Sequence, residues 1–222
     1  MRRKTLRGNA YIEFAFVVLV LVPLLLGTLG IGVNMIRALQ TVQLARDAGH
    51  MYARNIDFSL PGNKTVLANL GQDLGLQITT PASGSAVIIL SKLTYVDPAT
   101  CALGGAVDGN GNPSGCTNLG SWVFTQRLVL GQSSVRDSNF GTPTGVTVDP
   151  TTGNISAAQY VTVRGAALPS FDAINPYKVD QVTKAVSGLP SGEYVYISEA
   201  ASLGFNMTGI IPNAKAYSCN FF

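Results

Sequence analysis

The sequence predicts an α+β chain in which a long amino-terminal helix packs on a mainly antiparallel β-sheet. Three observations predict it. Residues 14–36 carry no charged side chain, and apolar residues then recur at helical steps as far as Arg54. Beyond that point, short runs rich in β-branched and aromatic residues alternate with Gly, Ser, Thr, Asn and Pro. The 222 residues suit one domain plus an anchoring segment, since domains cluster near ~100–150 residues. The expected divisions are a basic leader at 1–8, the helix at 9–54 and an α+β body at 55–222.

Charge divides along the same line. Residues 1–54 hold seven Lys/Arg against Glu13 and Asp47, a net of +5, whereas the rest of the chain is slightly acidic at −2. The high isoelectric point therefore belongs to the amino-terminal end. A nucleic-acid-binding body would need its basic residues gathered to neutralise phosphates, so no nucleic-acid partner is expected.

About 20 residues at ~1.5 Å per residue cross a ~30 Å hydrocarbon core, so the run from Phe14 to Ile36 is long enough to span a bilayer. Arg2, Arg3, Lys4 and Arg7 precede it, and Arg37 and the Arg46–Asp47 pair follow. That asymmetry places the amino terminus in the cytoplasm and the body outside. A cleaved secretory signal is the competing account, but the run exceeds an h-region of ~7–15 residues and no clear Ala-x-Ala site follows. Pro23 is expected to kink the span, and Gly27, Gly30 and Gly32 offer room for a neighbouring helix. Met35, Leu39, Val42, Ala45, Gly49 and Tyr52 then form one apolar stripe, which predicts a single helix from near Ala10 to Arg54.

In the body, Pro61 and Gly62 break the helix, and residues 64–78 read as a second one with Val66, Leu67, Leu70 and Leu74 on one side. Strands are expected at 84–96, 120–130, 145–149, 158–164 and 193–203, the third and fourth joined by a turn over residues 149–154. Cys101 and Cys116 bracket a glycine-rich loop with little to bury. A disulfide closing ~15 residues contributes ~3 kcal/mol in the chain-entropy model, which favours pairing these two outside the cytoplasm. Cys219 is left odd, and can instead take one of those partners or pair between chains. Asp108, Asn110 and Asn112 have the spacing of a calcium loop, but Pro113 and Leu119 stand where Gly and a bidentate acid belong, so a glycine- and asparagine-rich turn is the expectation.

Nothing in the pattern calls for a catalytic or cofactor site. His50 is the only histidine, which disfavours a triad or a multi-histidine metal centre, and no P-loop or dinucleotide fingerprint is present. Asp137, Asp149, Asp172, Glu193 and Glu199 read as scattered surface acids rather than a glycosidase pair. No enzymatic activity, cofactor or metal is expected.

Glu13, at the mouth of the apolar run, is the residue such a segment least explains, since an acid deep in a bilayer costs ~2.5–3.5 kcal/mol and somewhat less near the interface. Gly8 lies five residues before it, behind the basic leader MRRKTLR. This pattern resembles the prepilin signal of type IV pilin-like proteins: a basic leader, Gly, a scissile bond, Glu at the fifth mature position and an intact apolar helix. Within that superfamily the stretch RGNAYIEFAFVVLVLVPLLLGTLGIGVNMIRALQTVQLARDAGHMYAR looks most like the TadE-like pseudopilins of the tight-adherence pilus machinery, over about the first quarter of the chain.

The resemblance implies a pilin-like fold and cutting between Gly8 and Asn9 by an inner-membrane prepilin peptidase. It also implies a single-pass location in a bacterial inner membrane, with the body periplasmic or extracellular. Expected partners are that peptidase, other pilins and pseudopilins, the pilus assembly platform and the lipid bilayer. Homo- or hetero-oligomers would form through the amino-terminal helix, with Glu13 setting register. The alternative function is a signal-anchored or secreted domain with ligand-binding or hydrolytic activity.

Overall fold

In the computed structural model a helix of 47 residues, α1 (Arg7–Ala53), runs for about 70 Å at ~1.5 Å per residue. The structure describes residues 7–171, 178–179, 186–187, 192–206 and 214–222, with the backbone alone for residues 7–10 and the two short pieces. The leader as far as Leu6, and Asp172, lie outside the described residues. α1 stops at Ala53, one residue before the predicted end, and it passes through Pro23 as one unbroken helix.

Its amino-terminal half and its carboxyl-terminal half have opposite surroundings. Most large apolar side chains from Tyr11 to Ile36 are exposed, whereas Thr41, Leu44, Ala45, Ala48 and Tyr52 are buried against the body. The buried face is turned away from the predicted stripe: Ala45, Gly49 and Tyr52 belong to it, but Met35 and Leu39 are 65% and 66% exposed, and Val42 is also exposed. Size and hydrogen bonding, rather than hydropathy, choose the face. Ala45, Ala48 and Gly49 let the helix axis come close to the sheet, and a side chain on Gly49 would overlap the Phe222 ring. Thr41 Oγ1 lies 2.8 Å from Ser202 Oγ, in a buried hydrogen bond that only this rotation permits.

The sheet beneath α1 has four antiparallel strands in the order β2-β1-β5-β6, with β1 Ala86–Tyr95, β2 Trp122–Gly131, β5 Tyr194–Leu203 and β6 Lys215–Phe221. A separate antiparallel pair of two-residue strands, β3 Lys178–Val179 and β4 Val186–Ser187, lies between β2 and β5 in the sequence. The predicted strands at 84–96, 120–130 and 193–203 are β1, β2 and β5. β6 was not read from the sequence, because Lys215, Asn220 and the flanking Asn and Pro hide an alternation that pairing with β5 imposes.

The other two predicted strands are corrected. Residues 158–162 fall in a short helix, α4 (Ala157–Thr162), and residues 145–149 are irregular, with bends at 145 and 146. The sequence AQYVTVR has β-prone residues, but its tertiary setting decides. Asn118 Nδ2 donates to the carbonyls of Tyr160 and Val163 at 2.8 and 2.7 Å, so the helix end finds its partners, and Tyr160 and Val161 enter the core together. The turn between them is present: Asp149 Oδ1 accepts from Thr151 N and Thr152 N at 2.8 and 2.7 Å. These amides, Thr152 first, hold the Asp149 carboxyl below the usual range.

The second predicted helix divides in two. Pro61 begins α2 (Pro61–Leu70), occupying the first turn where its missing N–H costs nothing. Gly71 and Gly75 end α2 and a following 3₁₀ turn, the latter glycine at φ 76°. Leu67 and Leu74 are buried, while Val66 and Leu70 point outward. Leu67 and Leu74 contribute to a core with α1, Ile88, Leu90, Leu128, Leu130 and Ala200. The opposite face of the sheet packs Leu93, Trp122, Phe124, Val195 and Ile197 under a loop-rich layer containing Tyr160, Val161 and Phe171. The body is thus helix, sheet and loop layer in turn.

One dimension follows from the pairing. β5 runs alongside α1 from Leu203, near Arg37, back to Tyr196, near Tyr52. At ~3.3 Å per residue its ten residues cover about 30 Å. The end of the sheet carrying Tyr95, Trp122 and Tyr194 is therefore the end remote from the bare half of α1.

If the small-residue seat fixes the rotation of α1, Ala48→Leu should cost ~1–3 kcal/mol through overpacking. Leu39→Ala, on the outward stripe, should stay within ~0.5 kcal/mol of the parent. Chemical denaturation of the detergent-solubilised chain measures both, and a larger loss for Leu39→Ala would reverse the assignment.

Candidate functional site

The residues singled out in the sequence fall at two places, the bare half of α1 and the remote loop. α1 is long and apolar enough to cross a membrane by length and composition. Gly8 and Asn9 lie on the helical backbone of α1, ahead of its apolar run. Glu13 lies one turn further and is exposed, without an ion-pair partner among the described residues. A side chain on Gly27 or Gly32 would meet nothing within 4 Å. Pro23 has no N–H, so the carbonyl of Leu19 loses its helical donor.

The bare half joins the body through three polar side chains. Asn34 Oδ1 accepts from Phe205 N at 2.6 Å and its Nδ2 donates to Phe205 O at 3.2 Å. Arg37 Nη1 donates to Leu203 O at 2.8 Å, and Thr41 meets Ser202 one turn later. The contacts follow one another at helical steps, so the end of β5 is fastened to α1 over two turns.

At the remote end, Cys101 and Cys116 form a disulfide, the pairing expected from the loop between them. Cys101 is held by α3 (Pro98–Leu103), whose amino end is capped by Asp97 Oδ1 accepting from Thr100 N at 2.7 Å. Inside the loop, Asp108 Oδ1 accepts from Asn110 N and Asn112 N, both at 2.9 Å. The carboxylate is spent on its own turn, which lowers its pKa through the Asn112 amide first. Among the described residues there is no group of three or more His, Cys, Asp or Glu placed to hold a metal.

Glu199 is not a surface acid. It is 1% exposed in the middle of β5, opposite Cys219 on β6 and 3.8 Å from Arg127 Nη1 on β2. Tyr217 OH and Asn139 N donate to its Oε1 at 2.8 and 2.9 Å, and Ser138 Oγ donates to Oε2. Arg127 in turn donates to Ser91 Oγ and Gly141 O and stacks on the Phe124 ring, 4.8 Å from its centroid. Burial pulls the guanidinium pKa down to about 10, against the pull of Glu199, so it stays charged at neutral pH. Sequence alternation could have placed Arg127 and Glu199 on inward positions, but it carries no sign that the two meet across β1.

His50 stacks on Phe222, with ring centroids 4.6 Å apart, rather than joining a nucleophile. A polar pocket of about 170 Å³ lies beyond the end of α1, lined by Tyr52, Asn55, Lys92, Gln126 and Tyr196 among others. Its groups largely satisfy each other. Tyr52 OH donates to Gln126 Oε1 at 2.7 Å, Tyr196 OH to Asn55 Oδ1 at 3.1 Å, and the Lys92 ammonium sits 3.8 Å from the Tyr194 ring centroid.

No family model, curated protein or solved structure matches this chain.

Two outcomes follow from the buried groups. Arg127→Met should cost ~3–5 kcal/mol by stranding Glu199, and Arg127→Met/Glu199→Met should recover much of that loss, as read by urea denaturation. Cys219 is the free thiol among the described residues, and burial first, then the Glu199 charge, pushes its pKa from 9.0 to about 11. Its alkylation at pH 8 should be on the order of 100-fold slower than that of an ordinary thiol and should keep rising toward pH ~11. A rate that levels off below pH ~9 would show the thiol is not sheltered in this way.

Proposed function

We propose that this chain is a TadE-like pseudopilin that takes part in building a pilus of the tight-adherence type, anchored in the bacterial inner membrane by α1 and cut after Gly8. One observation carries the reading: Gly8 and Glu13 keep the spacing of a prepilin signal on a helix whose first half is bare and apolar and whose second half bears the body. A signal that is simply discarded has no need of an acid at its mouth. A body built around the continuation of the same helix also gives the apolar segment a permanent role.

In this reading Glu13 acquires its partner through cleavage. Cutting between Gly8 and Asn9 creates an α-amino group with an ordinary pKa of ~7.7–8.0. Within lipid an unpaired carboxylate is costly, so the new ammonium of one chain and Glu13 of the next would draw two helices into a fixed stagger. The basic leader keeps the scissile bond at the cytoplasmic face until the peptidase acts, and Gly8 lets the backbone enter an extended cleft without a side-chain clash. The exposed apolar surface of α1, with room over Gly27 and Gly32, is suited to helix packing in a membrane or filament.

Co-expression with a prepilin peptidase tests the reading by intact mass. Loss of residues 1–8 with retention of the helix is the expected result, and a chain that keeps Met1 or is cut after residue 30 contradicts it. Glu13→Gln should still be cut but should lower recovery in sheared pili by at least tenfold. Normal assembly of that variant would remove the register role.

A further inference from the structure

Two observations meet at one point on α1. Counting from Phe14, the first residue past Glu13, ~20 residues at ~1.5 Å each carry the chain across a ~30 Å hydrocarbon core, so the outer boundary falls at about residue 34. Asn34 is the residue that holds the body. Its side chain closes a two-bond ring with the backbone of Phe205, at 2.6 and 3.2 Å, and Gly204 lies so near that a Cβ there would sit 2.7 Å from Asn34 Oδ1. Arg37 Nη1, one turn further, takes Leu203 O at 2.8 Å.

The end of β5 is thereby fixed to the helix at the depth where hydrocarbon gives way to headgroups. An amide at that depth needs hydrogen-bond partners, and Phe205 supplies them. The side chains displayed there are apolar: Leu203 and Phe205 are each 36% exposed, beside the exposed Ile36 and Val33 of the helix. Arg37 uses one of its five donors on Leu203 O, leaving the others at the level of lipid phosphates, which guanidinium groups bind well.

We propose that Leu203–Phe205 is a membrane-docking edge, seated in the outer interfacial layer of a phospholipid bilayer, with Arg37 on the headgroup phosphates above it. The inference rests on α1 spanning the bilayer. It adds that the body lies against the membrane by a defined edge and does not stand off on a free stalk.

Depth-dependent fluorescence quenching tests it. The full chain is reconstituted in vesicles of phosphatidylcholine and phosphatidylglycerol, with or without bromine on carbons 6 and 7 of the acyl chains. Trp122, the single native tryptophan, is fully buried at the remote end of the sheet and sets an unquenched baseline. Phe205→Trp should add emission that brominated lipid reduces at least twofold, and Leu203→Trp reports the same edge should the first variant fold poorly. Leu103→Trp, in the remote loop, should be unaffected. A protein that floats with the vesicles yet shows no quenching at 205 or 203 overturns the docking edge alone. A protein that does not float with them overturns the spanning helix and the docking edge together.

Discussion

The fold depends on how α1 is seated between Asn34 and Tyr52. A single helix has to present a bare apolar surface along one half and bury the other, and the body has to grip it without covering the bare part. The grip is made of small residues, Ala45, Ala48 and Gly49, and of polar ones, Asn34, Arg37 and Thr41, in place of a thick apolar stripe. Close approach supplies dispersion contacts, and the hydrogen bonds supply a unique rotation and a unique height along the helix. Large side chains in the same places would have held the helix off the sheet and left its rotation to hydropathy alone.

The opposite face of the sheet solves a different problem. In the covering layer residues 136–143 have few backbone partners of their own, and the Arg127–Glu199 pair gives them some. Ser138 and Asn139 bond to Glu199 and Gly141 to Arg127, so an irregular segment is tied to β5 and β2 at once. Charges buried this way are seldom a net gain over well-packed apolar residues, but they tolerate few alternative arrangements. The strands at the centre of the fold therefore carry the positional information for the loops above them.

Much of the architecture was legible in the sequence wherever local pattern and tertiary demand agree. β1, β2 and β5 have long β-branched and aromatic runs, α1 has an uninterrupted apolar stretch, and the loop between Cys101 and Cys116 announces its closure. Legibility failed where a contact distant in sequence makes the choice. Asn118 turns residues 157–162 into a helix, Ser202 selects which side of α1 faces inward, and β5 recruits the polar-looking segment 215–221 as an edge strand. The candidate site divides the same way. The disulfide was legible from the loop between its cysteines, whereas the clamp at Asn34 and the acid at Glu199 depend on partners 171 and 72 residues away that no local pattern names.

The disulfide-clipped loop has a consequence for how such a chain can vary. It stands at the end of the sheet farthest from the bare helix, about 30 Å along β5. Its turn is closed by its own groups: Asp108 on Asn110 and Asn112, Ser114 N on Ala106 O, and the covalent clip at its base. Residues 107–114 are thus insulated from both cores. New lengths and new chemistry can be tried there at little expense to the seat of α1, which makes this loop the part of the molecule freest to diversify while the packing of helix on sheet stays fixed.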